Sequence, residues 1–411
     1  MSGHVARPAS AAVVTVGTEL VSGVALDTNT AEIALALARA GVDVHEAVSI
    51  GDDVGLLANT LRRLVSEFDL VVVTGGLGPT HDDITREAAC EALGIACERD
   101  AALVARLSAS TVRHTDARAR ERLLVQADVL RGARVIPAVK GTAPGQVVPT
   151  ARGSLVLLPG PPREMRPMIT SLVVELAGSS PEPYVLRTSG LTESDVQLAA
   201  SDVLADRDDI RLTVLAKLGD VRLILFDRGA GSQRLREAGE AIAERLGDAV
   251  YSTDGSTLPE TVLALARSRG ATLALAESCT GGMVSAALTD VPGASDVLLG
   301  GVVSYADGVK TRVLGVPPDI LARFGAVSEQ VARTMAEKVR DLTGATHAFA
   351  ITGIAGPGGG SVDKPVGTVW FALATSEGTT AFVRTFGGDR HAVRERSTVT
   401  ALDTLRRVLG C

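Results

Sequence analysis

Aromatic residues are scarce: one Trp, three Tyr and seven Phe make up 3% of 411 residues. Hydrophobic residues still reach 46%, so any core here is aliphatic. Cysteine is also sparse. Cys90, Cys97, Cys279 and Cys411 show no metal-ligand spacing, and Cys90 and Cys97 are too far apart for a CxxC motif. The plain reading is a reduced, cytoplasmic protein. Six scattered histidines leave little basis for a zinc site. Positive charge is in deficit, with a net charge of −7, which argues against nucleic-acid binding through a basic surface. The local basic stretch Arg113–Arg122 carries acids too and reads as the solvated face of a helix. Long apolar runs are missing, so no membrane span is expected. Ala11–Val16 is too short for the apolar core of a secretory leader and runs straight into a glycine turn.

The length predicts two or three domains. The first stretch alternates strand and helix signals. Ala11–Val16 reads as a strand, and Asp27 or Thr28 caps a helix through Ile33–Arg39 that stops at Gly41. Val42–Ile50 is strand-like and Val54–Ser66 helical. Leu70–Thr74 and Ser154–Leu158 are continuous apolar runs, expected of strands covered on both faces. Ile84–Leu93 is helical again. This alternation predicts an α/β fold with a doubly wound parallel sheet over residues 1–169. Residues 170–257 read as a small α+β connecting domain, with strands at Tyr184–Leu191 and Val221–Phe226 and helices at Glu193–Leu204 and Gln233–Leu246. Residues 258–411 then form a C-terminal α/β domain.

Two loops of the first domain suit a ligand. Val16-Gly17-Thr18-Glu19-Leu20 follows the first strand, and Thr74-Gly75-Gly76-Leu77-Gly78-Pro79-Thr80 follows the third. Loops beyond the carboxyl ends of parallel strands open on a shared crevice. Gly17, Thr18, Glu19, Thr74, Gly75, Gly76, Gly78 and Thr80 are the candidate nucleotide-binding residues, because glycine amides before a helix suit phosphate. Tight turns use the same residues. Asp82 and Asp83 read either as acids favouring the helix N-terminus or as ligands of a divalent metal bridging a phosphate; Mg²⁺ typically takes one or two carboxylates plus phosphate oxygens.

In the C-terminal domain, an apolar run at Thr272–Leu275 leads into Ala276-Glu277-Ser278-Cys279-Thr280-Gly281-Gly282 and then a helical segment, Met283–Leu288. The glycines admit close backbone approach, and the helix N-terminus favours an anion. Gly293-Ala294-Ser295, Ser304-Tyr305, Lys310, Thr352-Gly353-Ile354-Ala355-Gly356-Pro357, Lys364-Pro365-Val366-Gly367-Thr368 and Gly388-Asp389-Arg390 follow in order.

This series resembles the C-terminal domain of the competence/damage-inducible CinA family, whose members include nicotinamide mononucleotide (NMN) deamidases. The loops of the first domain, together with Leu158-Pro159-Gly160-Pro161-Pro162-Arg163-Glu164-Met165, resemble the family's molybdopterin-binding-like domain. The resemblance implies hydrolysis of NMN to nicotinate mononucleotide and ammonia, with no cofactor. It also implies a homodimer that acts on small nucleotides, while the acidic composition and short apolar runs point away from direct nucleic-acid or membrane contact. In some relatives the first domain hydrolyses ADP-ribose with a divalent metal such as Mg²⁺. Here the asparagine usual upstream of Gly141-Thr142-Ala143-Pro144-Gly145 is missing from Pro137-Ala138-Val139-Lys140, which departs from that pattern.

Amide hydrolysis needs a nucleophile, a base and donors for the oxyanion. The C-terminal motifs contain no histidine, with His347 and His391 outside them, so a Ser–Lys pair is the economical alternative to Ser–His–Asp. By the resemblance, Ser295 matches the nucleophile and Lys310 its base, with Tyr305 a nearby hydrogen-bonding partner. Without it, Ser295 reads as a helix cap and Lys310 as a surface residue. Cys279 is the rival nucleophile, or else a small buried hydrophobe. Ser278, Cys279, Thr280, Gly281 and Gly282 are then substrate contacts, and the loop of Thr352, Gly353 and Gly356 holds ribose or phosphate or is simply mobile. Arg390 and Arg394 fall on one face of a helix, as a phosphate clamp or as partners of acids. Two further readings stay open: a molybdopterin-like binding protein without turnover, and an interaction protein in competence.

Overall fold

The computed structural model describes residues 8–110, 117–177 and 181–410. Residues 113–116 of the basic stretch, and Cys411, lie outside them. The chain divides into two compact units, Met1–Glu182 with Phe226–Gly231, and Pro183–Leu225 with Ser232–Cys411.

Among its described residues the first unit holds β1 (Ser10–Val16), β2 (Asp43–Ile50), β3 (Leu70–Thr74), β4 (Cys97–Arg99), β5 (Asp128–Leu130), β6 (Arg134–Ile136), β7 (Gly145–Pro149) and β8 (Ser154–Leu158). Its main sheet runs in the order β2-β1-β3-β8-β7-β6, while β4 and β5 pair separately. β2, β1, β3 and β8 are parallel, and the edge pair β7 and β6 is antiparallel. Alternate residues of one strand feed opposite cores. Ala12, Val14 and Val16 of β1 pack with Leu57, Leu61 and Ala88, whereas Ala11 and Val13 pack with Ile33, Leu37 and Met168. That two-sided burial is why β1 and β3 read as unbroken apolar runs. The helix Asn29–Arg39 is held at its start by Asp27, which accepts from the Thr30 amide (3.0 Å) and hydroxyl (2.6 Å).

The second unit holds β9 (Tyr184–Ser189), β10 (Ile210–Lys217), β12 (Val250–Ser252) and all but the last two residues of β11 (Asp220–Asp227) in a four-stranded sheet of order β10-β11-β9-β12. Its five-stranded sheet is β14 (Leu298–Val303), β13 (Leu273–Glu277), β15 (His347–Gly353), β16 (Thr368–Thr375) and β17 (Gly378–Thr385), in that spatial order. The first three are parallel and the last two antiparallel. Leu273 and Leu275 face the helices Leu258–Ser268 and Arg390–Gly410, while Ala274 and Ala276 face Glu329–Thr343. Phe371 stacks on Phe382 of the neighbouring strand and meets Phe349 of the other neighbour at a tilt. No helix among the described residues is long and apolar enough to cross a membrane.

Candidate active site

In the first unit the two loops do lie beyond the carboxyl ends of β1 and β3, but much of their polarity is used internally. The amides of Gly75, Gly78 and Thr80 donate to Leu158 O (3.1 Å), Asp83 Oδ1 (2.6 Å) and Asp83 Oδ2 (2.7 Å). Two of the three glycine amides expected to meet a phosphate, Gly75 and Gly78, are thus engaged within the protein, as is that of Thr80. Gly75 is obligatory: its φ is +106°, and a Cβ there would lie 2.3 Å from Val16 O. Arg86 is buried and donates to Leu77 O (2.8 Å) and Gly78 O (2.9 Å), while Thr85 Oγ1 donates to Gly75 O (2.7 Å). Thr18 donates to Asp52 through its hydroxyl (2.7 Å) and amide (3.1 Å), and Glu19 is exposed. Asn29, which the sequence did not single out, donates from Nδ2 to Thr74 Oγ1 (3.1 Å) and Gly160 O (2.7 Å).

Asp82 and Asp83 are placed differently. Asp83 accepts on both oxygens from Gly78 and Thr80, closing the loop on itself. Asp82 is exposed, and a hydrogen bond from Thr80 holds its carboxyl below the usual range. No group of three or more acidic, His or Cys side chains converges as a metal site among the described residues.

The second unit brings the motifs around Ser278, Tyr305, Lys310, Thr352 and Arg390 together at the carboxyl ends of β13, β14 and β15. Glu277 ends β13 and is 1% exposed. Its carboxylate accepts from the amides of Gly282 (3.0 Å), Val284 (3.2 Å) and Ser285 (2.9 Å) and from Ser285 Oγ (2.7 Å). This satisfies the otherwise unpaired amides at the start of the helix Met283–Thr289. The glycines Gly281 (φ +61°) and Gly282 (φ +96°) let the chain turn back over that carboxylate. Ser278 is held from behind by its amide, which donates to Ile351 O (2.9 Å).

Lys310 lies on the helix Asp307–Leu314 yet is only 1% exposed. Its Nζ is 3.2 Å from Ser278 Oγ, 2.9 Å from Ser304 O and 3.4 Å from Tyr305 O, with Asp307 Oδ1 at 3.6 Å. Burial holds its pKa below the ordinary lysine value, and Asp307 opposes that shift. Ser304 is itself pinned by its amide to Glu277 O (2.8 Å). Ser278, Lys310, Tyr305, Thr352, Gly353 and Arg390 share the lining of one cavity of about 200 Å³. Arg390 donates to the Tyr305 hydroxyl (2.5 Å) and to Gly356 O (2.8 Å). A larger groove of about 1590 Å³ elsewhere in this unit, along Met283 and Val399, reaches none of Ser278, Lys310 and Tyr305.

Several sequence expectations are corrected here. Ser295 is exposed in a short turn, Ala294–Asp296, immediately before β14. Leu298 pairs with Leu273, the first residue of β13, whereas Ser278 follows the last. At about 3.3 Å per residue the two ends of β13 lie roughly 16 Å apart, with Ser295 beside the first and Ser278, which Lys310 meets, after the last. The serine that Lys310 meets is Ser278. Cys279 is buried, and desolvation pushes its thiol up to about 12, the opposite of an activated nucleophile. Thr280 is fully buried rather than substrate-facing. Arg394 donates to Cys279 O (3.1 Å) and Thr280 O (2.9 Å), bracing the loop, and pairs with no acid in those bonds. Lys310 is not on the surface, and Thr352 Oγ1 is tied to Ala326 O (2.8 Å). The sequence also left Glu277 and Ser304 without roles. The signal for Glu277 was an acid placed directly after an apolar strand and before Gly-Gly and a helix.

The profile of the CinA C-terminal domain matches residues 255–409, and that of a probable molybdopterin binding domain matches residues 12–178. A CinA-like protein of Acidobacterium capsulatum is 40% identical over 414 residues, covering 97% of this chain and 99% of its own. The chain belongs to the CinA family. A putative competence-damage inducible protein of Symbiobacterium thermophilum is 43% identical, over 97% of this chain and 98% of the relative. A crystal structure of a competence-damaged protein (CinA) superfamily member from Klebsiella pneumoniae is 37% identical across 38% of this chain and 99% of that one, with a TM-score of 0.36. The mixed α/β architecture, with a parallel sheet in the N-terminal unit, agrees with that membership.

Proposed function

We propose that the C-terminal unit is a cofactor-independent amidohydrolase acting on NMN, with Ser278 as nucleophile and Lys310 as general base. The observation that carries this reading is the set of acceptors around Lys310. A neutral amine has two N–H bonds and one lone pair. As an ammonium Lys310 donates to Ser278 Oγ at 3.2 Å. In the neutral form the carbonyls of Ser304 and Tyr305 take its two protons and its lone pair accepts from the Ser278 hydroxyl, while Asp307 Oδ1 at 3.6 Å favours the ammonium. Burial favours that neutral state.

The amine takes the proton as Ser278 Oγ attacks the carboxamide carbon. The resulting ammonium returns it to the departing nitrogen as ammonia leaves. Water then hydrolyses the acyl-serine, with Lys310 again accepting a proton. The Tyr305 hydroxyl accepts from Arg390, so its own proton is free to be donated into the cavity. Arg390 supplies positive charge at the same wall, suited to a phosphate. NMN itself comes from the family resemblance.

ADP-ribose hydrolysis in the N-terminal unit has less support, because the loop amides and Asp83 are engaged internally. No step through a metal is derived there. The test is ammonia release by the full-length protein on NMN, nicotinamide and NAD. NMN should be preferred; a protein that releases ammonia from none of the three would overturn the reading.

A further inference from the structure

Cys90 sits near the end of the helix Thr85–Leu93, and Cys97 opens β4. Their Sγ atoms are 2.8 Å apart and both are free thiols. Gly94 makes this possible: at φ +66° it reverses the chain, and the Ile95 amide returns to Cys90 O (3.1 Å). A disulfide bond is about 2.04 Å long, so bonding needs a shift of less than about 1 Å. Two thiols placed together only for packing would both be hidden. Cys97 is exposed and Cys90 half-buried, so a small reagent can reach the pair. The groups facing it are Arg86 and Asp128.

We propose that Cys90 and Cys97 form a reversible dithiol–disulfide site, oxidised by small-molecule disulfides of the glutathione class. The small fraction of exposed Cys97 present as thiolate attacks the oxidant, giving a mixed disulfide and one released small thiol. The thiolate of Cys90 then attacks the Cys97 sulfur and releases the second. Two protein S–H bonds are lost and one S–S bond forms, and the two electrons and two protons leave on the small thiols. Burial and the neighbouring Cys90 push the Cys97 thiol up to about 12, so exchange is slow at neutral pH and quickens as pH rises. The bond would fix the far end of the helix whose first residues, Thr85 and Arg86, hold the glycine loop by its carbonyls.

The chain lends itself to a direct test, since Arg86 and Arg99 flank both cysteines with no Lys or Arg between them. Trypsin therefore releases both in one peptide, Glu87–Arg99. The full-length protein is treated with oxidised glutathione at mildly alkaline pH, its remaining thiols are alkylated, and it is digested. The peptide should be two hydrogens lighter, carry no alkyl group, and stay joined after further cleavage at Glu91. Dithiothreitol should restore both thiols. Cys90→Ser should leave Cys97 carrying a stable glutathione adduct. Wild-type peptide that takes two alkyl groups, or that keeps glutathione without closing the ring, overturns the proposal.

Discussion

Lys310 Nζ and Ser278 Oγ lie 3.2 Å apart, although the two residues are 32 positions apart in sequence. The bond from the Ser304 amide to Glu277 O joins the ends of β14 and β13 and sets that distance. If Ser278 is the nucleophile, Ser278→Ala removes the attacking oxygen and little volume. Ammonia release from NMN should fall by several powers of ten, each worth about 1.4 kcal/mol of barrier. Ser295→Ala should keep near-normal activity. Steady-state assays of the two variants decide the assignment, and the reverse pattern would refute it.

Lys310 gives a prediction in pH. Its folded-state pKa is lowered by burial, so the active neutral form is lost as pH falls through that lowered value. The rate should therefore rise with pH along a single ionisation below 10.5. Lys310→Arg cannot deprotonate in this range and should lose about 10³-fold in kcat. Between the lowered pKa and 10.5 the unfolded chain binds more protons than the folded one, so wild-type stability gains with pH there. In Lys310→Met that gain should disappear, which pH-dependent denaturant titration measures.

Glu277 should matter through the loop that it holds. Glu277→Gln keeps the shape but places an amide NH₂ where backbone donors now converge. At least one donor of Gly282, Val284 or Ser285 then loses its acceptor, at a cost of about 2–3 kcal/mol. Thermal unfolding of the second unit should shift down, and kcat should fall with it. Unchanged stability would show that the carboxylate charge is not needed there.

Tyr305→Phe removes the hydroxyl that accepts from Arg390 and that faces the cavity. We expect kcat/KM for NMN to drop about tenfold, roughly 1.4 kcal/mol, with the fold unaffected. Full activity in this variant would assign Arg390 alone to the substrate.

The sheets were legible because burial on both faces writes itself into the sequence. Leu70–Thr74 and Ser154–Leu158 are strands with the very bounds expected from their apolar runs. β10 escaped notice because most of its residues are half-buried or exposed, so no burial pattern marks Ile210–Lys217. At the site, the loop Ser278–Gly282 was visible as a turn between strand and helix. Which serine meets Lys310 was not, since that depends on which end of β13 each residue occupies, and strand register is a long-range property. The partners of Arg394 were hidden for a related reason: helical spacing places it with Arg390, but only the fold shows that it ends on carbonyls.

The helix Arg390–Gly410 carries both Arg390, at the cavity wall, and Arg394, bonded to the carbonyls of Cys279 and Thr280. One rigid rod thus bears the charged wall and braces the loop next to Ser278. A small tilt of that rod carries both along in the same direction, so their mutual geometry survives thermal motion that would misalign two independent supports.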